Sequence, residues 1–278
     1  MDIDHLKTWT GRQEMLDDHL GLFPPAALSA TLDRDDPNPA EGDPLPPLWH
    51  WLYFLPRARQ SEIGPDGHPR RGGFLPPVPL PRRMWAGGRL EFHAPLHLGE
   101  HVRRTSTIAD ISAKSGRSGT LVFVLVRHEI TGPAGLAITE EHDIVYRDAR
   151  APGEATPAPK PAPSDSTWQR DIIPDDVLLF RYSALTFNGH RIHYDRRYVT
   201  TEEGYPGLIV HGPLLATLLL DLYRRHDARP VKSFSFRALS PVFDTTRFTV
   251  HGTPDATGAR LWVRRDDGAL CMEATVGT

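Results

Sequence analysis

The chain reads Gly207-Leu-Ile-Val-His-Gly-Pro-Leu-Leu-Ala-Thr-Leu-Leu-Leu-Asp221 late in its 278 residues, and this stretch decides the fold. Pro213 suits the first turn of a helix, where a backbone N–H has no intrahelical partner to lose. Leucines follow on almost every side, which indicates a helix that is buried over most of its surface. We therefore predict a hydrophobic helix from Pro213 to about Arg225, entered through His211 and Gly212.

Runs of β-branched and aromatic residues follow this helix, and turn residues separate them. The strand candidates of the second half are residues 232–239, 246–252, 259–265 and 270–276. The first half shows the same order, with strand candidates at residues 89–93, 100–111, 120–130 and 137–147. A loop, a buried helix and a run of antiparallel strands in each half predict a duplicated α+β architecture.

The remaining segments divide the chain. Residues 3–32 are interpreted as two short helices around a turn at Pro24-Pro25, and an apolar helix is predicted to start at Trp49. Residues 64–81 are rich in glycine and proline and long enough to suggest a functional loop. Residues 149–166, mostly alanine, proline and small polar residues, are predicted to form an extended linker between units 1–148 and 167–278.

The composition excludes several classes of protein. A formal net charge of -3 and a pI of about 6.5 argue against nucleic acid or an anionic membrane as a partner. The single cysteine, Cys271, excludes an internal disulfide and a cysteine metal cluster. The first residues are acidic and lack the apolar core of a signal peptide, and no apolar run reaches the roughly 18 residues of a membrane span. We expect a soluble, cytoplasmic protein.

The candidate site is Phe187-Asn-Gly-His-Arg-Ile-His-Tyr-Asp195, which brings polar groups together beside one glycine. Asn188 and His193 are five residues apart, and a bent loop can direct both side chains onto one water. Neutral imidazole can take a proton from that water, and the carboxamide can orient it. Gly212 begins the apolar helix, so its N–H and the helix dipole face an incoming oxyanion.

Other interpretations of these residues remain open at this point. His190 and His193 can be loop histidines satisfied by carbonyl groups, Asn188-Gly189 a turn, and Gly212 a helix-entry glycine. A metal site made of His190, His193 and His211 is conceivable, but no carboxylate or cysteine cluster supports it. We therefore expect no metal.

Residues 183–195 together with 207–212 resemble the MaoC-like double hot-dog hydratases and dehydratases of acyl thioesters. More narrowly, they resemble the hydroxyacyl-thioester dehydratase type 2 branch, which includes mesaconyl-CoA and itaconyl-CoA hydratases. Leu90 to Glu100 resembles part of the family's first half. The resemblance implies two antiparallel sheets, each wrapping a central helix, joined by the proline- and alanine-rich linker. Residues 1–148 would be a degenerate hot dog and residues 167–278 the catalytic one.

By resemblance, His193 matches the catalytic histidine and Gly212 the oxyanion-hole glycine, while Asn188 stands where most relatives have aspartate. An amide can position water but cannot take its proton, so proton transfer is assigned to His193. The implied reaction is hydration or dehydration of an acyl-CoA across its 2,3-double bond, without a cofactor, in a tunnel between the two halves. The candidates for binding the substrate or coenzyme A are Arg82, Arg83, Trp85, Arg191, His211 and Arg237.

Alternative functions on the same fold are a fatty-type (R)-3-hydroxyacyl-thioester dehydratase, a hot-dog thioesterase and a non-catalytic acyl-CoA-binding protein. A thioesterase usually employs a carboxylate as base or nucleophile, which Asn188 and His193 do not supply. Two fused hot dogs can replace a homodimer, yet association into a homodimer of the whole chain is left open.

Overall fold

The computed structural model describes residues 1–116, 119–148 and 158–278. The first half of the predicted linker, residues 149–157, therefore lies outside the described residues, and the proposed unit boundaries stay a prediction. No helix within the described ranges is both long and apolar enough to cross a membrane.

Within the described ranges, ten strands form a single antiparallel sheet. They are β1 Gln13–His19, β2 Arg82–Phe92, β3 His101–Gly116, β4 Gly119–Gly132, β5 Gly135–Arg147, β6 Trp168–Ile172, β7 Ser233–Ala238, β8 Phe248–Asp255, β9 Gly258–Arg265 and β10 Leu270–Gly277. The predicted strands of both halves correspond to β2 to β5 and β7 to β10. Predicted and observed strand ends agree within about four residues, which is the usual uncertainty of strand ends. The exceptions are the start of β2 and the end of β3, where the difference is larger.

The order of the strands repeats between the two halves. The sheet runs β1-β3-β4-β5-β2-β7-β10-β9-β8-β6, so each half places its first strand at the outer edge and its second strand at the centre. β2 and β7 pair with each other, with Gly87 opposite Arg237 and Glu91 opposite Ser233. The predicted α+β duplication is confirmed, and its two expected sheets are joined edge to edge because their central strands share one ladder of hydrogen bonds.

The part of the chain that the structure describes also contains five α-helices: α1 Ile3–Lys7, α2 Phe23–Thr31, α3 Asp176–Leu185, α4 Arg196–Thr201 and α5 Gly212–His226. The predicted long helix is α5, and every residue from Leu214 to Tyr223 is buried. It packs against β8, β9 and β10. In the same place along the chain, before the strands β2 to β5, the first half has the shorter α2 and a 3₁₀ turn at Trp49–Leu52. Prolines between residues 37 and 47 prevent a longer helix there.

Two predictions for the first 55 residues were wrong. Pro24 and Pro25 do not interrupt a helix but occupy the first positions of α2, where proline fits well. The segment Gln13–His19 is a strand, not helix, and its polar composition gave no apolar alternation that would have revealed it. The apolar helix expected at Trp49 is a 3₁₀ turn of four residues.

A buried carboxylate on α5 connects the two halves. Asp221 is almost completely buried and accepts hydrogen bonds from Arg34 of the first half at 2.6 Å, Arg170 at 3.0 Å and Arg225 at 2.8 Å. The main apolar core surrounds α5 and continues into the first half, and a smaller core lies between α1, β3 and β4. The ion pairs of Asp221 and the surrounding core hold α5 in place between the two halves. They therefore also hold Gly212, which is its first residue.

Candidate active site

His193 lies in a 3₁₀ turn, Arg191–His193, and its side chain is buried. Its Nδ1 is 2.7 Å from the carbonyl oxygen of Ile209. A carbonyl only accepts hydrogen bonds, so Nδ1 carries the proton and Nε2 keeps its lone pair. Burial lowers the pKa of His193 to about 4, although the bond to Ile209 opposes the shift. The ring is therefore a neutral acceptor at physiological pH.

His211 supports this ring from behind. The two imidazoles are stacked, with ring centroids 3.8 Å apart and planes inclined by 18°. The Nε2 of His211 lies 2.8 Å from the hydroxyl of Ser183 on α3, and its side chain is completely buried. Burial also lowers the pKa of His211 far below its usual range. His211 is thus a buried, neutral packing partner of His193, and its predicted role in binding the substrate or coenzyme A stays a prediction.

Gly212 is the first residue of α5, and its N–H has no hydrogen-bond partner among the described residues. A Cβ built on Gly212 would meet only the carbonyl oxygen of Trp85, at 4.0 Å. The Cα of Gly212 is therefore not crowded on its side-chain side, and the dipole of α5 favours negative charge at this helix N-terminus. This geometry suits an oxyanion.

The Asn188 side chain stabilises the loop to which it belongs. Its Oδ1 accepts a hydrogen bond from the backbone N–H of His190 at 3.0 Å. Asp195 is engaged elsewhere, because it caps α4 through the N–H of Tyr198 and pairs with Arg191. The second lone pair of the Asn188 oxygen is left to orient a water, so that role stays a prediction.

The glycine- and proline-rich loop of the first half docks on this segment, as its length suggested. The carbonyl of Asp66 accepts a hydrogen bond from the Arg191 N–H at 2.9 Å, and the carbonyl of Pro65 accepts one from the Arg191 guanidinium at 2.9 Å. Gly67 lies so close to Gly189 that a Cβ at Gly67 would come within 1.8 Å of the Gly189 oxygen. Both halves of the chain therefore build the site.

Three side chains from the two loops meet beside His193. The Nδ1 of His68 is 3.1 Å from Asp66, the rings of His68 and His190 are 4.0 Å apart, and those of His190 and His193 are 5.4 Å apart. Burial lowers the pKa of His68, and it lowers that of His190 to about 2. Burial acts to raise the pKa of Asp66, but hydrogen bonds from His68 outweigh it and hold that pKa well below its usual range. Two neutral rings thus face one carboxylate.

Asp66, His68 and His190 are also the group within the described ranges that could hold a metal, because their ligand atoms lie within 4.8 Å of one another. It shares only His190 with the metal site weighed from the sequence. The expectation that the reaction needs no metal remains a prediction.

The arginine candidates are spread over different surroundings. Arg82 is paired with Glu203, and Arg191 holds Asp195 and lies 4.1 Å above the ring of Tyr198. Arg237 lies on the outer face of β7, is 61% exposed and pairs with Glu273, so the structure does not bring it to the site. Arg83 is half-buried. Arg191 itself belongs to the segment that holds His190 and His193.

The Trp85 side chain mainly packs against neighbouring aromatic side chains. Its ring centroid is 3.9 Å from that of His142, with the planes inclined by 31°, and the ring lies edge-on to Trp51 and Phe236. Its Nε1 donates to the Gly87 carbonyl. Its backbone carbonyl oxygen would lie 4.0 Å from a Cβ built on Gly212.

Sequence reasoning missed three residues of the site. Asp66 and His68 belong to the loop that was predicted to be functional, yet nothing in that loop indicated which side chains would reach His190. Ser183 belongs to residues 183–195, the segment that resembles the family, but no role was predicted for it. Its position ten residues before His193, at the end of a helix, is the signal that could have identified it.

Comparisons with known proteins bear on both fold and function. A family model described as hydroxyacyl-thioester dehydratase type 2 matches residues 48–244. Mesaconyl-C(4)-CoA hydratase of Chloroflexus aurantiacus is 51% identical over 271 residues, which cover 96% of each chain. Both findings concern nearly all of the segments that form the site.

Solved structures establish the fold. A MaoC-like dehydratase superposes with a TM-score of 0.72 at 13% identity, covering 98% of this chain and 99% of the other. A Mycobacterium tuberculosis protein described as having a double hot-dog fold superposes with a TM-score of 0.62 at 14% identity, covering 99% and 96%. The double hot-dog fold expected from the sequence is confirmed.

Proposed function

Because the chain belongs to the hydroxyacyl-thioester dehydratase type 2 family, we propose that it is a hydro-lyase acting on the 2,3-double bond of an acyl-CoA thioester. The observation that carries this proposal is that the site contains two complementary groups. The Nε2 of His193 is unprotonated, and the N–H of Gly212 has no hydrogen-bond partner among the described residues. One group can accept a proton, and the other can stabilise a negative oxygen. Hydration of a conjugated thioester needs both.

The reaction follows from these two groups. His193 Nε2 takes a proton from water while the water oxygen forms its bond to carbon 3. The electron pair of the double bond then moves toward the thioester, whose oxygen gains negative charge opposite the Gly212 N–H and the dipole of α5. The protonated His193 returns the proton to carbon 2, and the enolate collapses to the hydroxyacyl thioester. One such oxyanion donor is typically worth about 3 kcal/mol in the transition state.

Asn188 is proposed to orient the attacking water through the lone pair that the His190 N–H leaves unused. Asn188 itself exchanges no proton in this scheme, so His193 carries both transfers. Because the loop depends on the Asn188 bond to His190, replacing the amide also loosens the segment that holds His193.

The acyl group proposed first is mesaconyl, because the 51% identical relative is a mesaconyl-C(4)-CoA hydratase. Itaconyl is a second dicarboxylic candidate. An (R)-3-hydroxyacyl-thioester dehydratase of fatty-acid type is the alternative, because the matching family model is described as a hydroxyacyl-thioester dehydratase. A mesaconyl or itaconyl thioester carries a distal carboxylate, whereas a fatty acyl chain needs an apolar slot.

The test follows the ultraviolet absorbance of an enoyl-CoA and free thiol in parallel. We expect absorbance to fall without thiol release, and His193→Ala to lower kcat by about 10²-fold or more. His93→Ala is the control, since His93 is exposed and lies on the other half. Thiol release would identify a thioesterase instead, and full activity of His193→Ala would refute the mechanism.

A further inference from the structure

The loop of the first half and the segment that holds His193 bring a carboxylate and two imidazoles together. Asp66 and His68 belong to the loop, and His190 belongs to the segment. One ligand atom of each side chain lies within 4.8 Å of the other two, and residues 1–116, 119–148 and 158–278 contain no other group of three or more histidine, cysteine or acidic side chains this close. Two imidazoles and one carboxylate are the protein ligands in a class of zinc enzymes.

The separations between these side chains suit one metal ion. Nitrogen and oxygen ligands bond to zinc at about 2.1 Å, so two ligand atoms of one tetrahedral ion lie about 3.4 Å apart. The Nδ1 of His68 is 3.1 Å from the carboxylate of Asp66, and the rings of His68 and His190 are 4.0 Å apart. A metal ion can take the place of the proton that Nδ1 shares with Asp66, while the neutral ring keeps its proton on Nε2.

The His190 ring is available as a ligand. It makes no hydrogen bond to any of the described residues, although the residue is half-buried. Its backbone, by contrast, is held in place, because the His190 N–H donates to the Asn188 side chain at 3.0 Å. The backbone of the facing loop is held as well, since the Gly64 N–H donates to the His68 carbonyl at 2.7 Å. Ligands whose backbone is already fixed lose little entropy when they bind an ion.

The charges and atom types of the three side chains favour a divalent transition metal. The two imidazoles are neutral, as a metal ligand must be, and the ionised Asp66 supplies one negative charge. Imidazole nitrogen suits Zn²⁺ and Co²⁺, whereas Mg²⁺ and Ca²⁺ prefer a shell made of oxygen atoms. With two nitrogen ligands and one carboxylate, the group selects a transition metal over Mg²⁺ and Ca²⁺.

We infer that Asp66, His68 and His190 bind a divalent transition-metal ion, Zn²⁺ in particular. The bound ion joins the loop of the first half to the segment of the second half, because its ligands come from both. The site adjoins His193, whose ring centroid is 5.4 Å from that of His190. This inference concerns binding and goes beyond the proposed function, since no step of the hydration scheme passes through the ion.

The test titrates the chelator-treated protein with Zn²⁺. We expect calorimetry to show one ion bound per chain with a Kd of about 10 µM or tighter. At about 100 times its Kd, Zn²⁺ should raise the melting temperature by about 5 °C, because it binds the folded chain more tightly than the unfolded chain. Co²⁺ should also bind and give visible absorption bands. Mg²⁺ at the same concentration should change neither the heat signal nor the melting temperature.

Two variants each remove one ligand. His68→Gln and Asp66→Asn should weaken Zn²⁺ binding by about tenfold or more and abolish most of the gain in melting temperature. His97→Gln is the matched control, because His97 also lies 3.2 Å from a carboxylate, that of Glu100, but belongs to no group of three ligands in the described ranges. It should bind Zn²⁺ as the wild type does. Melting temperatures without metal separate loss of a ligand from loss of the fold, and all variants should lie within about 3 °C of the wild type.

The wild-type titration can overturn the inference by itself. A Kd for Zn²⁺ above about 1 mM, or binding of Mg²⁺ as tight as that of Zn²⁺, would contradict a site with two imidazole ligands. Equal binding by the wild type and both ligand variants, or loss of binding in His97→Gln, would contradict the assignment of the ligands. None of these measurements uses an enoyl thioester, so the metal site and the proposed hydro-lyase activity are tested separately.

Discussion

His193 is controlled by two contacts that act in different ways. The Ile209 carbonyl decides which nitrogen carries the proton, and the stacked His211 removes the ring from water. Burial then favours the neutral form and lowers the pKa to about 4. A base with a low pKa is weak, but it is almost fully unprotonated at neutral pH. Its position in the same site as the Gly212 N–H compensates for the weakness.

The pH dependence of the rate follows from this shift. The base must be neutral to act, and it is neutral above its pKa in the folded protein. We expect kcat/KM for hydration to stay constant from neutral pH down to about pH 5 and to fall below about pH 4, not near 6.5 as for an exposed histidine. Initial rates in buffers of constant ionic strength measure this. An acidic limb near 6.5 would show that His193 is more accessible to water than described.

At the scale of elements, the loop at residues 64–68 matters because it belongs to the first half and lies on the catalytic segment of the second. Gly67 has a φ of 89° and touches Gly189, so no side chain fits there without displacing one of the two loops. Displacement would separate Asp66 from the Arg191 N–H and move His190 with it.

Gly67→Ala should therefore lower kcat/KM by about tenfold or more, since small displacements of a reacting group are costly. The melting temperature should change little, because the loop lies outside the main core. Gly72→Ala is the matched control: Gly72 has a φ of 93° in the same loop, but the nearest atom to its Cβ is 3.8 Å away. It adds the same backbone strain without the clash, so activity within about threefold of wild type is expected. Equal effects of both variants would contradict the docking argument.

Elements with regular apolar patterns were predicted well from the sequence. The helix predicted from Pro213 to about Arg225 is observed as Gly212–His226, because a proline at its start and a long run of leucines indicate a helix that is buried over most of its surface. β1 was missed because Gln13–His19 is an edge strand with mostly polar residues. The contact between Asp66 and the Arg191 N–H could not be predicted, since it joins residues 125 positions apart through tertiary packing alone.

At the scale of the whole molecule, several charged and titratable side chains are buried in the interior of the protein. Asp221 ties three arginines from both halves together, and His128, His193 and His211 are buried with their pKa lowered by desolvation. Each of these histidines is neutral in the folded chain but protonates freely in the unfolded chain below about pH 6.5. Acid therefore favours the unfolded chain.

We expect the stability to fall as the pH is lowered from about 6.5 toward 4. Above 6.5 both states are neutral at these rings, so the full stability is present. Below it the unfolded state binds more protons, and each histidine that stays neutral in the fold costs about 1.4 kcal/mol per pH unit. Melting temperatures followed by calorimetry between about pH 7.5 and pH 5 measure the slope. A flat profile would show that the buried rings are protonated in the folded protein.

The contact between the two halves has a consequence for a chain that is cut between them. His193 and Gly212 belong to the second half, but the loop that receives the Arg191 N–H and touches Gly189 belongs to the first. A fragment made of the second half alone would keep both of these residues and lose the loop that packs on their segment. Duplication has therefore left one half with the proposed reacting groups and the other with part of their support, and neither half is a site by itself.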